Sequence, residues 1–136
     1  MSVRYMLDTN MASYVIKGNV PQVREVLRRI PMQEVGISVV TEAELRFGVA
    51  RKPQVGSLQR AVEEFLVRVE ILPWESAAAT HYAELRSSLE DSGAPMGSLD
   101  MMIAAHALAV GAILVSHDRV FHRVKRLKLE DWTKPA

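Results

Sequence analysis

Short runs of β-branched and aliphatic residues recur along the chain, and each is followed by a longer stretch with three-and-four apolar spacing. Such alternation implies a parallel sheet with helices packed on its faces, an α/β architecture. Val3–Leu7 reads as a buried strand that stops at Asp8-Thr9-Asn10, a helix-start cluster. Helices are predicted from Thr9 to Lys17 and from Pro21 to Ile30, with Pro21 at the first helical position. Val35–Val40 is the second strand, and Thr41-Glu42-Ala43-Glu44 has the form of a capping box opening a helix to about Ala50. Leu58, Val62, Phe65, Leu66 and Val69 mark an amphipathic helix, Glu70–Leu72 a brief strand. Ser76 is placed to cap a long helix ending near Gly93, and Ser98 opens an alanine-rich helix that Gly111 stops. Ala112–Val115 and Leu127–Leu129 complete the strands, with Ser116–Phe121 a turn between them.

A chain of 136 residues, 49% hydrophobic and 24% charged, fits one domain over residues 1–136 with a real core. Its longest apolar stretch, Met101–Leu114, is interrupted by His106 and Gly111 and is too short to span a bilayer, so no membrane association is expected. Met1-Ser2-Val3-Arg4 runs straight into a strand, without the pattern of a secretory leader. The absence of cysteine excludes disulfides and a thiolate zinc site and fits a cytoplasmic location. A net charge of +1 does not mark a dedicated duplex binder. The charge is uneven, however: Arg119, Arg123, Lys125, Arg126 and Lys128 gather behind Asp118, a pattern whose ordinary reading is a solvated surface segment.

The placement of the acids carries more information. Asp8 follows the first strand, Glu44 sits in the first turn of the helix after the second, and Asp118 lies just past the fourth. Ligands of open α/β sheets bind beyond the carboxyl ends of the strands, so topology places these three acids together there. Asp100 opens the helix before the fourth strand, and pattern alone leaves open which end of the sheet it occupies. Each has a structural explanation: helix cap for Asp8, capping box for Glu44, helix dipole for Asp100, turn for Asp118. Two like charges about 4 Å apart repel by roughly 4 kcal/mol at an effective dielectric near 20, more than a cap returns. Clustered carboxylates therefore call for a cation or for protonation. An all-oxygen donor set suits Mg²⁺ or Mn²⁺, with phosphate oxygens completing the shell. The implied chemistry is phosphodiester hydrolysis by a metal-activated water, without a nucleophilic side chain.

The blocks that hold these acids resemble a known family. They are Met6-Leu7-Asp8-Thr9-Asn10, Ala43-Glu44-Leu45-Arg46-Phe47-Gly48, Pro95-Met96-Gly97-Ser98-Leu99-Asp100 with Ile103-Ala104-Ala105-His106-Ala107, and Leu114-Val115-Ser116-His117-Asp118 with Leu129-Glu130-Asp131-Trp132. In this order and spacing the chain is similar from end to end to the VapC toxins, PIN-domain ribonucleases of toxin–antitoxin pairs. The resemblance implies a PIN-like three-layer α/β/α sandwich with a central, mostly parallel sheet of four or five short strands. It also implies a Mg²⁺- or Mn²⁺-dependent endoribonuclease whose metal-binding, catalytic set is Asp8, Glu44, Asp100 and Asp118, and so settles Asp100. Structured RNA, tRNA above all, would be the substrate and translation the casualty. A VapB-like antitoxin would be the partner, and a homodimer the assembly. Three positions depart from the family's pattern: Ser98 where proline is common, His117 where asparagine is often found, and Lys125-Arg126 in place of a Pro-Gly turn. The extra charge makes Arg119, Arg123, Lys125 and Arg126 candidates for RNA phosphate contacts.

Thr9, Asn10 and Ser116 lie beside the acids, where they could orient them, although helix capping explains them equally well. His106, in a small-residue helix, reads as a packed, hydrogen-bonded histidine. His117 and His122 lack a third ligand for zinc. The seven methionines read as core filler, and Trp74 and Trp132 as anchors of the domain edge rather than base-stacking platforms. Three rival functions stand beside the toxin. A phosphatase using Asp8 as nucleophile would need a second acid at position 10, which is Asn10. The others are a non-catalytic RNA- or protein-binding PIN-like domain and an RNA-processing nuclease without an antitoxin.

Overall fold

The computed structural model describes residues 2–135. In chain order the elements are β1 (Tyr5–Leu7), α1 (Thr9–Lys17), α2 (Pro21–Leu27), β2 (Val35–Ser38), α3 (Val39–Ala50), α4 (Gly56–Arg68) and β3 (Glu70–Leu72). They continue with α5 (Ser76–Asp91), α6 (Ser98–Val110), β4 (Ile113–Val115) and β5 (Leu129–Glu130), with 3-10 turns at Met32–Glu34 and Arg119–Arg123. All strand pairs are parallel, in the order β3-β2-β1-β4-β5. The expected α/β/α sandwich is therefore borne out, with five strands in one fully parallel sheet.

Alternation along each strand divides the core between two layers. Met6 and Leu114 face α5 and α6, where Leu85, Leu89, Ile103 and Phe121 are buried. Leu7, Val35, Ile37 and Val115 face the other layer and pack on Met11, Val23, Leu45, Val62 and Phe65 from α1–α4. At Gly36 a Cβ would stand 2.9 Å from Val3 Cγ2 and 3.0 Å from the Glu70 carbonyl, so β2 needs glycine there to lie flush against β3. Gly111 ends α6 at φ +70°, the left-handed region that favours glycine.

The structure corrects several expected boundaries. The second strand stops at Ser38, not Val40, and Ser38 rather than Thr41 caps α3, its Oγ accepting from Val40 N at 3.0 Å. Thr41 is fully buried within the helix, and Glu44 lies in its second turn rather than its first. Ser76 is the first helical residue of α5, not its cap; Glu75 holds that place without a side-chain bond. The last strand falls at Leu129–Glu130, two residues beyond its expected start. Both tryptophans are anchors: Trp74 Nε1 donates to the Met102 carbonyl at 3.0 Å, and buried Trp132 packs its edge on Tyr5. None of the described helices is long and apolar enough to cross a membrane.

Candidate active site

Order reverses between β1 and β4: the chain leaves β1 toward β2 and β3 and leaves β4 toward β5. A crevice opens where neighbouring strands send their connections opposite ways. Asp8 and Ser116-His117-Asp118 flank that point.

Asp8 is held from three sides. Its backbone N–H extends the sheet to the Val115 carbonyl at 3.0 Å. Oδ1 caps α1 by accepting from Met11 N at 2.8 Å, and Oδ2 accepts from Ser116 Oγ at 2.6 Å. Ser116 Oγ in turn accepts from Asp118 N at 2.9 Å, so one buried hydroxyl ties the first acid to the backbone of the last. Asp118 caps the turn that follows, Oδ1 accepting from Val120 N at 2.9 Å. Glu44 arrives from α3 and accepts from Thr9 Oγ1 at 2.5 Å, while Thr9 also reaches Thr41 Oγ1 at 3.3 Å. Asp100 stands in the first turn of α6.

Electrostatics couples these groups. Burial pushes Asp8 up to about 6 from an ordinary 3.8; the Ser116 and Met11 donors pull it down, and the Asp100 and Asp118 charges push it further up. Asp100 is raised by burial first, then by Asp118 and Glu44. Among the described residues, none of the four acids has a Lys, Arg or His partner within 4.0 Å. No three His, Asp or Glu side chains among the described residues stand close enough together to hold a metal ion as they are placed. Asp100 is thus coupled by like charge to Asp8, Asp118 and Glu44, and Asp8 to Asp118, with no cation opposing them among the described residues.

The remaining candidates separate. Thr9 and Ser116 touch the acids directly, whereas Asn10 is exposed and has no side-chain hydrogen bond among the described residues. Arg119 lines a cleft with Asp118, His117, His122, Asp131 and Lys134. Arg123, Lys125 and Arg126 line another, against α5, and Arg123 donates to the Pro95 carbonyl. Buried His106 bonds Ser38 Oγ through Nδ1 at 2.8 Å, while its Nε2 has no partner; burial lowers its pKa against the opposing influence of Pro73 and Glu75.

One group was not anticipated. His117 Nδ1 lies 2.8 Å from Asp131 Oδ2 and 3.1 Å from Thr133 Oγ1, and Thr133 Oγ1 donates to Asp131 Oδ1 at 2.6 Å. Burial, which would raise Asp131, is outweighed by the Thr133 and His117 bonds, and its pKa is lowered. The Asp-x-Thr spacing at 131–133 was the one local signal for the turn; nothing in sequence placed it beside His117.

The PIN domain family matches residues 5–127. A tRNA(fMet)-specific endonuclease VapC of Shigella flexneri is 40% identical, covering 96% of this chain and 99% of its own length. A ribonuclease VapC2 of Rickettsia felis is 35% identical, covering 96% of this chain and 98% of its own. Among solved structures, DNA-bound VapBC from Salmonella typhimurium superposes with a TM-score of 0.89 at 33% identity, covering 96% of this chain and 98% of that one.

Proposed function

Because this chain belongs to the PIN-domain family and is related to VapC ribonucleases along nearly its whole length, we propose that it is a metal-dependent endoribonuclease, the toxin of a VapBC-type pair. One observation supports the reading of the site: Asp8 is raised in part by the charges of Asp100 and Asp118, and Asp100 by those of Asp118 and Glu44, while none of the four has a cationic partner within 4.0 Å among the described residues. Their donor chemistry fits a hard divalent cation, since all the donors are oxygens and their repulsion needs an opposing charge. Asp8, Glu44, Asp100 and Asp118 would hold Mg²⁺ or Mn²⁺, which when bound acidifies a water and neutralises charge on the scissile phosphate.

The protein's own contribution is orientation. Ser116 and Met11 fix both oxygens of Asp8, and Thr9 fixes Glu44. Asp118 spends Oδ1 on Val120 N, leaving Oδ2 to orient the attacking water or take its proton. The substrate is structured RNA, tRNA first, and the work is done in the cytoplasm by a homodimer released from a VapB-like antitoxin. Residues 1–136 act as one PIN-like domain, and of Arg119, Arg123, Lys125 and Arg126 it is Arg119 that shares a cleft with Asp118 and is placed to meet a phosphate.

The test is cleavage of a purified tRNA pool by the antitoxin-free protein and by Asp8→Asn and Asp100→Asn, with Mg²⁺, Mn²⁺ or EDTA. Discrete cuts by the wild type that vanish in EDTA and fall by about 100-fold or more in both folded variants are expected. Cleavage that survives either substitution removes that residue from the mechanism. If folded wild-type protein cuts neither tRNA nor ribosomal RNA with any metal, a non-catalytic role is the better reading.

A further inference from the structure

The His117 cluster lies outside the acid set, yet its geometry restricts what the imidazole can do. Thr133 Oγ1 has a single proton, and it goes to Asp131 Oδ1. Towards His117, therefore, the hydroxyl and the Asp131 carboxylate both act as acceptors, and both face Nδ1. A neutral ring has one proton, and two acceptors hold it on Nδ1. In that neutral form Nε2, on the opposite side of the ring, is left as a lone-pair acceptor. The side chain is 55% exposed and lines the same cleft as Asp118 and Arg119.

A nucleic-acid strand threading the acids offers few partners for such an atom. Phosphate oxygens only accept. The one hydrogen-bond donor on the sugar–phosphate backbone is the ribose 2′-hydroxyl, which DNA lacks. We propose that His117, held by Asp131 and Thr133, is a substrate-binding residue whose Nε2 accepts from a ribose 2′-hydroxyl beside the scissile phosphate, so that the cleft checks the strand for RNA. Arg119, in the same cleft, supplies the charge for the neighbouring phosphate. The proposal rests on the nuclease reading of the acids. It adds a determinant of sugar specificity at a position where this chain carries histidine rather than the asparagine common in the family.

The experiment is a cycle in which one partner is a protein side chain and the other a single oxygen of the substrate. An oligoribonucleotide spanning the mapped cut is made with one 2′-deoxy position at a time, within three nucleotides either side of the cut. kcat/KM is then measured for the wild type and for His117→Ala, whose exposed side chain can be removed without opening the core. At one position the deoxy substitution should cost the wild type about fivefold, the scale of one neutral hydrogen bond, and should cost His117→Ala nothing further. His117→Ala should cut the all-ribose substrate about fivefold less well, with the same metal dependence and a melting temperature lowered only by the loss of its exposed contact with Asp131. Equal deoxy penalties in both proteins, or none in either, overturn the proposal and leave the nuclease reading intact. Failure of the wild type to cleave any all-ribose substrate instead overturns the nuclease reading beneath it.

Discussion

Ser116 shows how much one hydroxyl can organise. It donates to Asp8 Oδ2 and accepts from Asp118 N, so removing it loosens two acids at once. The Ser116 donor lowers the Asp8 pKa, working against burial and against the charges of Asp100 and Asp118. In Ser116→Ala that lowering is lost, and Asp8 rises above about 6. In the proposed mechanism ionised Asp8 is the form that would hold a cation, so the acidic limb of the kcat/KM profile should move to higher pH. Asp118 N also loses its acceptor, which should be seen as a lower melting temperature. An acidic limb that stays in place while the protein melts earlier would show that some other group titrates in that limb. Residue types beside the acids were legible in sequence, but their pairings were not: 108 positions separate Ser116 from Asp8, and only the sheet brings them together.

Among the elements, α3 bears most directly on the site, because it carries Glu44. Its start was misplaced in sequence for a physical reason. Val39 and Val40 favour extended backbone, and both Ser38 and Thr41 are good caps, so propensity cannot choose between them. The structure chooses Ser38 because His106 on α6 pins its Oγ at 2.8 Å and because buried Thr41 is taken up by Thr9. Ser38→Ala deletes the cap and leaves Nδ1 of His106 without its partner. A loss of about 1–3 kcal/mol is expected, measured as a shift in the denaturant midpoint at constant slope. The cost should fall on Glu44 as well, with metal-dependent activity declining further than global stability explains. An unchanged midpoint would mean that α3 is anchored by its packing alone. The neighbouring helices were easier to read: Pro21 and Gly111 mark their ends by backbone chemistry that tertiary contacts do not override.

For the molecule as a whole, burying ionised Asp8 beside other acids costs stability. The folded Asp8 pKa of about 6 lies above its ordinary value of 3.8. Between these two values the native state binds more protons than the unfolded chain, so stability falls as pH rises through the window. Below it Asp8 is protonated in both states and the penalty is absent; above it the penalty is complete, on the order of 1–3 kcal/mol. Metal-free Asp8→Asn should therefore melt above the wild type at pH 7.5, and the gap should close near pH 4. Mg²⁺ or Mn²⁺ should reverse the order at pH 7.5 by stabilising the wild type alone. A gap that did not change with pH would mean that the carboxylate charge is not its source. The architecture itself was legible, because strand–helix alternation admits few parallel folds; the order β3-β2-β1-β4-β5 was not, since every strand is short and similarly apolar.

The central position of β1 has a consequence for biosynthesis. The strand synthesised first is paired on one side by β4, which is synthesised more than a hundred residues later. A growing chain that has exposed Asp8, Glu44 and even Asp100 still lacks β4, Ser116 and Asp118. Its crevice has only one wall until the ribosome has delivered the final stretch. The links that Ser116 makes to Asp8 and to Asp118 are therefore absent until β4 has paired with β1.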